Sequence, residues 1–544
     1  MNRILIIVLI LIIPAGLFAQ ITQGRLSGNF QLDAQSYRAD STIGAVAVPE
    51  NFLTNSYANF RYDAGDFSAG VRYEGYLNTL QGIDPGNDGV GFPHIFAQYR
   101  HDDLDITVGS FYEQFGSGIL LRTWEDKNLG IDNSLKGFRV KYTPIDGIQL
   151  TGLIGQQRIF FDMGPGLVRA LDGNIVINDV VPLLRDKATR VSLGGSFVSN
   201  YQPDDDPIYI LPENVGGWAS RLHISRGGFS MESEYAHKIN DPSADNGFIY
   251  KPGHALLINT SYAGDGLGIA LSAKRVDNMS FRSCRNQNLS KLMINYLPPI
   301  SKNHTYSLMN FYPYASQSRG EMGLQGEISY RLKRGTALGG KYGTQLSFNF
   351  SLVNDIDHQM VNDSTPIWTS GTDGYTSEFF RFSDQPFYRD YNFEVERKLT
   401  KNWKFSAIVQ HLQYNQMILE GKGGMVNAEI AVLDITWKIK PKHALRLETQ
   451  GLWTKEDKGN WAMVLAEYSV SPHWFFSVLD HYNYGNPDDT KRQHYLIGSF
   501  GFVKDANRIQ LSYGKQKEGI LCVGGVCRNV PAMNGFTISI SSSF

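Results

Sequence analysis

Arg25-Leu26-Ser27-Gly28-Asn29-Phe30-Gln31-Leu32-Asp33-Ala34 sets every apolar side chain on an even number and leaves the odd positions polar. Successive side chains of a strand point to opposite faces, so this segment folds as a strand with one greasy and one wet face. The same period of two returns along the chain. Phe67, Ala69, Val71 and Tyr73 alternate with Ser68, Gly70, Arg72 and Glu74, and Phe138, Val140 and Tyr142 alternate with Gly137, Arg139 and Lys141. Further on, Val191, Leu193 and Phe197 oppose Arg190, Ser192 and Ser196, and Tyr391, Phe393 and Val395 oppose Asn392, Glu394 and Glu396. Leu445 and Leu447 oppose Arg446 and Glu448, and Ile509, Leu511 and Tyr513 oppose Arg508, Gln510 and Ser512. No stretch of helical apolar spacing competes with them. The chain is all-β.

Alternation alone does not separate a soluble sandwich from a membrane barrel, but three further features do. The alternating segments run about ten to thirteen residues, roughly twice an ordinary strand, and eleven tilted residues span the ~25 Å apolar band of an outer membrane. Connections alternate between tight turns (63–66, 101–103, 226–228, 263–266, 471–473) and long polar loops near 38–53, 79–93, 112–133, 200–215, 239–252, 277–319 and 353–385. The chain ends in an alternating strand, Phe536-Thr537-Ile538-Ser539-Ile540-Ser541-Ser542-Ser543-Phe544, whose outward Phe536, Ile538, Ile540 and Phe544 look like the signal read by the outer-membrane barrel insertion machinery. Unpaired backbone groups are costly in hydrocarbon, so a spanning sheet must close on itself. The rhythm of turns and loops predicts a transmembrane antiparallel β-barrel of about 24 strands (range 20 to 24,) with both termini periplasmic. Its weakest strand is 167–178.

Composition agrees. Lys+Arg 51 against Asp+Glu 53 gives a net charge of -2, too neutral for a nucleic-acid binder. A mean hydropathy of -0.26 excludes a polytopic helical membrane protein. Aromatic residues at 12% argue against disorder, and three cysteines are too few for a disulfide-built scaffold.

The first residues, MNRILIIVLILIIPAGLFAQ, carry Arg3, an apolar run Ile4 to Ile13, and small residues up to Ala19. Residues 1–19 are expected to be a cleaved secretory signal peptide, leaving 20–544 as one barrel domain. With the first strand so near the cleavage point, no amino-terminal plug domain is expected. Tyr62, Tyr99, Tyr142, Trp403, Trp437 and Trp474 suit the headgroup level, where aromatic girdles anchor barrels.

Twenty-four strands give a backbone diameter on the order of 45–50 Å, too wide to leave open. The loops 112–133, 277–319 and 353–385 are the candidates for narrowing it, with a separate protein as the alternative. The segment Phe115-Gly116-Ser117-Gly118 through Trp124-Glu125-Asp126-Lys127 is read two ways, as an inward fold against the polar wall or as an ordinary surface loop. Wall charges predicted to face the lumen are Arg25, Arg61, Arg72, Glu74, Arg139, Lys141, Arg190, Arg221, Glu232, Glu234, Glu327, Arg331, Glu394, Glu396, Arg446, Glu448 and Arg508. Their mixed signs predict weak ion selectivity, and cross-strand pairing is their structural role.

No HExxH, GxSxG or P-loop pattern is present, and the rim residues His411, Asp480, His481 and His494 do not converge in spacing, so neither an enzyme nor a cofactor is expected. The acidic turns at 203–207, 240–242 and 486–489 read as solvated turns rather than Ca²⁺ sites. In Cys522-Val523-Gly524-Gly525-Val526-Cys527, a Gly-Gly turn would set Cys522 opposite Cys527, within disulfide range in an oxidising compartment. Cys284 is left without a partner.

The mature chain resembles bacterial outer-membrane β-barrels. Phe115-Gly116-Ser117-Gly118 through Leu129-Gly130-Ile131-Asp132-Asn133-Ser134-Leu135-Lys136-Gly137 is similar to a family of Bacteroidota barrels of unknown function, DUF6029. That resemblance implies a location in the outer membrane, with its lipid as partner, and no particular activity. Asp40-Ser41-Thr42 and Asp363-Ser364-Thr365 are similar to the short O-glycosylation acceptor of such bacteria. Two functions remain open: a passive channel or transport conduit narrowed by inward loops, and a scaffold barrel that docks other envelope proteins.

Overall fold

The structure, a computed structural model, describes residues 24–523 and 526–544. The expected signal segment 1–19 and the Gly524-Gly525 turn lie outside the described residues. One 24-stranded sheet dominates. Its strands are, in chain order, β1 (Arg25–Arg38), β2 (Phe52–Ala64), β3 (Phe67–Leu77), β4 (Gly89–His101), β5 (Leu104–Phe111), β6 (Leu135–Ile145), β7 (Ile148–Ile159) and β8 (Asp162–Val176). Next come β9 (Thr189–Tyr201), β10 (Asn214–Arg226), β11 (Phe229–Lys238), β12 (Gly253–Gly264), β13 (Leu267–Asp277), β14 (Gly320–Leu332), β15 (Thr344–Ile356) and β16 (Phe382–Lys398). The last are β17 (Trp403–Asn415), β18 (Met425–Lys440), β19 (His443–Trp453), β20 (Trp461–Val470), β21 (Trp474–Tyr482), β22 (His494–Lys504), β23 (Asn507–Gln516) and β24 (Met533–Ser543).

Each strand pairs antiparallel with its neighbours in the chain, and β24 returns to pair with β1, Leu32 opposite Ile540 and Asp33 opposite Ser539. The sheet is a closed barrel without an edge, so every strand has two backbone partners. Short turns of two to four residues follow β2, β4, β6, β10, β12, β16, β18, β20 and β22, all at one end, where β1 begins and β24 also finishes. Long connections gather at the other end, the longest being 112–134, 278–319 and 357–381. Three joints break the rhythm. Phe160-Phe161 is a tight joint among the long loops, and 177–188 and 333–343 are long among the turns. The strand read as 167–178 begins earlier, at Asp162, and stops at Val176, where a helical turn Ile177–Val180 takes over.

Residues registered opposite one another in an antiparallel pair share a face. On the outward face, large apolar side chains stand exposed around the whole circumference. Ile95, Phe138, Leu171, Phe197, Leu271, Phe348, Leu433, Val478 and Leu511 are each 39% or more exposed. At the turn end this face carries Tyr62, Tyr99, Tyr142, Trp403, Trp437 and Trp474, and the rings of Trp403 and Trp437 stack across β17 and β18 at 5.2 Å. Among the described residues, the core of this protein is therefore not between sheets. It lies inside the barrel.

Candidate functional site

The interior is layered. Towards the turn end the inward face carries Arg25, Arg61, Arg190, Glu327, Arg331, Glu394, Glu396, Arg446 and Arg508. Towards the loop end the same face turns apolar. Val168, Val198, Val215, Ala236, Ala255 and Val276 line β8 to β13, and Ile408, Leu412, Val426, Ile430, Leu452 and Trp461 line β17 to β20, all buried. A uniformly wet lumen, as the alternation implies, is corrected here. The wall becomes apolar where something dry packs on it.

That something is two loops. Of the two meanings open for 112–133, the structure takes the inward one. Phe115, Ile119, Leu120 and Leu121 are buried against the β8–β13 wall together with Met279, Phe281, Ile294 and Leu297 of the 278–319 loop. The two loops are hydrogen-bonded to each other through Arg122 N to Ile294 O (2.8 Å) and Tyr296 N to Gly118 O (2.9 Å). Gly116, at φ +52, lets the turn approach the wall so closely that a Cβ there would fall on Arg221.

Charged wall residues hold the first loop. The Ser117 amide and hydroxyl donate to Glu234 Oε2 at 2.7 and 2.6 Å. Arg139 and Lys141 reach Glu113 Oε2 at 3.3 and 2.8 Å, while Arg221, beside Gly116, is itself fixed within the wall by donating to Asp172 Oδ1 of β8 at 2.6 Å. Arg72 of β3 spans Glu125 (2.9 Å) and Asp132 (3.0 Å), while Arg158 of β7 spans Glu74 (2.6 Å) and Asp132 (2.7 Å). Burial works to raise the Asp132 carboxyl, but the Arg158 and Arg72 guanidiniums outweigh it and hold it below the usual range. For Glu125 burial wins and its carboxyl lies above the usual range. Buried ion pairs of this kind add little net stability when complete, but losing one partner strands the others without water.

The 278–319 loop runs from this wall to the opposite one. Met293 O accepts from Gln157 Nε2 of β7 at 2.7 Å. Farther along, His304 meets Asp390 of β16 (2.6 Å), the Tyr306 hydroxyl donates to Asp434 of β18 (3.2 Å), Leu308 N donates to Gln450 of β19 (2.8 Å) and Ser307 meets His481 of β21 (2.9 Å). A segment tied to β7 at one end and to β16–β21 at the other crosses the lumen. Lys302 approaches Glu327 at 3.5 Å, and Asp434, Arg446 and Glu448 form a ladder beneath Tyr306. Gln157, Asp390 and Gln450, which sequence reasoning missed, are buried polar groups on otherwise amphipathic strands. Nothing in their period distinguishes them from solvated wall residues.

The third candidate for narrowing goes elsewhere. The loop 357–381 packs on the outward face: the Tyr375 hydroxyl donates to Asp277 Oδ1 (2.6 Å), Arg275 lies under the Phe379 ring (4.6 Å), and Tyr375 and Trp368 cluster with Met322 and Ile356. Asp277 and Arg275 register with His254 and Leu256, on the same side as exposed Trp218. The inward assignment of 353–385 is thus corrected, because its anchors have the opposite strand parity.

Cys522 and Cys527 are registered opposite one another and disulfide-bonded in a hairpin of the last long loop. This hairpin leans over the mouth, where Arg528 Nη1 donates to Gln81 O at 3.3 Å, and Lys517 lies 4.1 Å from the Phe311 ring. Burial, with the Lys458 charge adding to it, lowers the Lys517 amine to about 8. A cavity of about 1460 Å³ opens at this end between Ile83, Asp132, Arg158, Lys291, Arg319 and Arg528. Cys284 is buried and free among the described residues. The rim histidines do not form one site. His411 pairs with Glu429 and His494 with Asp480 on the outward face, whereas His481 faces inward. The acidic turns spend their carboxylates locally, Asp204 on Leu211 N, Asp241 on Lys238 and Asp488 on Thr490. Phe536, Ile538, Ile540 and Phe544 all lie on the outward face of the closing strand.

No curated protein matches this chain. Among solved structures it is similar to a chain of the Escherichia coli P pilus tip assembly intermediate PapC-PapD-PapK-PapG (9% identity, TM-score 0.44), covering 95% of this chain and 60% of that one. It is similar to the siderophore receptor PirA of Pseudomonas aeruginosa (10% identity, TM-score 0.42; 96% and 80% covered). The outer membrane protein opdK of Pseudomonas aeruginosa gives 11% identity and TM-score 0.35, with 79% and 97% covered. A family model matches residues 1–544 from end to end, and the chain belongs to the family of unknown function DUF6029.

Proposed function

We propose that this protein is an outer-membrane barrel of the transport type, a passive conduit kept narrow by its own 112–134 and 278–319 loops. The observation that carries this reading is the pair of loops anchored to opposite walls across a lumen otherwise lined with charge. The exposed apolar exterior supports a place in lipid, with the long loops outside and both termini in the periplasm. In this reading residues 1–19 are the export signal, and Phe536, Ile538, Ile540 and Phe544 present the closing strand to the insertion machinery. Mixed signs on the inner wall suit small hydrophilic solutes with weak charge selection. A second reading, a non-enzymatic scaffold for envelope partners, is favoured by the dryness of the layer where the loops pack.

Single-channel recording in planar bilayers separates the two. The intact protein should show small, steady conductance, and replacing 299–312 with a short Gly-Ser linker, which removes the His304, Tyr306, Ser307 and Leu308 anchors, should enlarge it severalfold. Silence from both, with the barrel folded, would leave the scaffold.

A further inference from the structure

The outward face carries cations that the lumen account does not use. Arg169 of β8 points outward beyond the apolar belt. Its Nη2 donates to Ser199 Oγ (2.9 Å) and Asn214 Oδ1 (2.6 Å) on β9 and β10, and its Nε is buried without a partner. Lys136 of β6 is exposed on the same face, registered opposite Gln156, which itself lies opposite Leu167, two residues from Arg169. Among the described residues neither cation has a carboxylate within ion-pair distance. Three acids on the outward face of the loop end are taken: Asp277 by Arg275 (3.1 Å), Glu429 by His411 (2.6 Å) and Asp480 by His494 (2.6 Å).

Below Arg169, past the exposed Leu171 and Phe197, the belt dips. Along β8 the outward residues run Arg169, Leu171, Gly173, and along β9 they run Ser199, Phe197, Gly195, with Gly173 and Gly195 opposite one another. A Cβ on Gly173 would meet no atom nearer than 3.5 Å and one on Gly195 none nearer than 3.9 Å, and neither backbone is left-handed. Internal packing therefore does not require glycine at either place. Glycine weakens a strand interior, and close approach of a ligand to the backbone is one of the features such a glycine marks, beside bulges and tight bends.

We propose that this face holds one lipid with a net anionic phosphate headgroup, its phosphate on Lys136 and Arg169 and an acyl chain in the trough over Gly173 and Gly195. The proposal rests on the membrane reading above and adds a defined headgroup chemistry to it. Charge complementarity selects the occupant, because the two free cations stand where an anionic headgroup would lie and the surface beneath is mostly apolar, with Ser220 opposite Gly195 its polar member.

The test uses the full-length protein purified in detergent and mixed with phosphatidylglycerol, phosphatidylcholine or inorganic phosphate, with bound species counted by native mass spectrometry. Phosphatidylglycerol should be retained over phosphatidylcholine. Lys136→Gln with Arg169→Gln should weaken that retention by roughly thirtyfold, the usual contribution of two basic groups near an anionic headgroup. Gly195→Leu, which fills the trough and keeps both cations, should weaken it as well. Equal retention of both lipids, no loss in either variant, or inorganic phosphate bound as tightly as the lipid would overturn the site. A protein that leaves washed membranes without detergent would instead overturn the membrane reading beneath it.

Discussion

The loops 278–319 and 357–381 leave the same rim one hairpin apart and go opposite ways, the first carrying five Lys/Arg and no Asp/Glu, the second one Arg and four Asp/Glu. The first crosses the lumen on Gln157, Asp390 and Gln450. The second lies on the outer wall against Asp277, Arg275 and Met322. The parity of the wall residues that receive each loop sets its direction, inward at Asp390 and outward at Asp277. A one-residue shift of the receiving strand would exchange inside for outside. The same contrast separates a loop that fills the lumen from one that leaves it untouched, and the following changes probe it, the largest first.

Asp132→Asn should have the largest effect. It leaves Arg72 and Arg158 buried and short of a counter-charge, at a cost of about 3–5 kcal/mol. Hydrogen exchange should speed up across 112–134 while β24 stays protected. Acid acts on the same group. Because the folded-state pKa of Asp132 lies below its unfolded value, its contribution is complete above the ordinary aspartate range and is lost as pH falls through the lowered value. Exchange of this loop measured at pH 7 and at pH 3 should show that loss in the wild type and not in the Asn variant.

Ile540→Arg, on the outward face of the closing strand, should cost about 2–4 kcal/mol, whereas Ser539→Arg, whose neighbour Asp33 faces the lumen, should be tolerated far better. Urea unfolding of the two variants reconstituted in vesicles gives the difference, and equal costs would place the register one residue off. Replacing Cys522 and Cys527 by serine should cost roughly 2 kcal/mol from the entropy of so short a closed loop, confined to the last loop. Limited proteolysis should find a new cut within 517–532 and none elsewhere. Tyr375→Phe should have the smallest effect, about 1.5 kcal/mol for the lost hydrogen bonds to the Asp277 carboxylate and Arg319 O. It should loosen 357–381 in exchange experiments and leave conductance unchanged, because that loop stands outside the lumen.

Much of the barrel was legible in the residues. Alternation such as Leu26, Phe30 and Leu32 against Asn29, Gln31 and Asp33 maps directly onto the outward and inward faces of β1, and the turn rhythm reaches the strand number. Legibility ends where period two stops meaning wet and dry. Val168, Val198 and Val215 are apolar on the inward face because buried loop residues such as Leu120 and Leu121 cover them. In sequence such a strand, apolar on both faces, cannot be told from any other short apolar run. The loops carry no period at all, so the direction of 112–134 was open and that of 357–381 was misplaced. Their anchors, Glu234 and Asp277, lie more than ninety residues before or after the groups they bind.

The central claim is that even-numbered side chains of β24 meet lipid while odd-numbered ones look into the barrel. Spin labels placed one at a time at Thr537, Ile538, Ser539, Ile540 and Ser541 in reconstituted vesicles test it directly, through their collisions with oxygen dissolved in lipid and with a water-soluble nickel complex. Oxygen accessibility should peak at 538 and 540 and nickel accessibility at 537, 539 and 541. Accessibilities that do not alternate, or that alternate in the opposite phase, would contradict the claim.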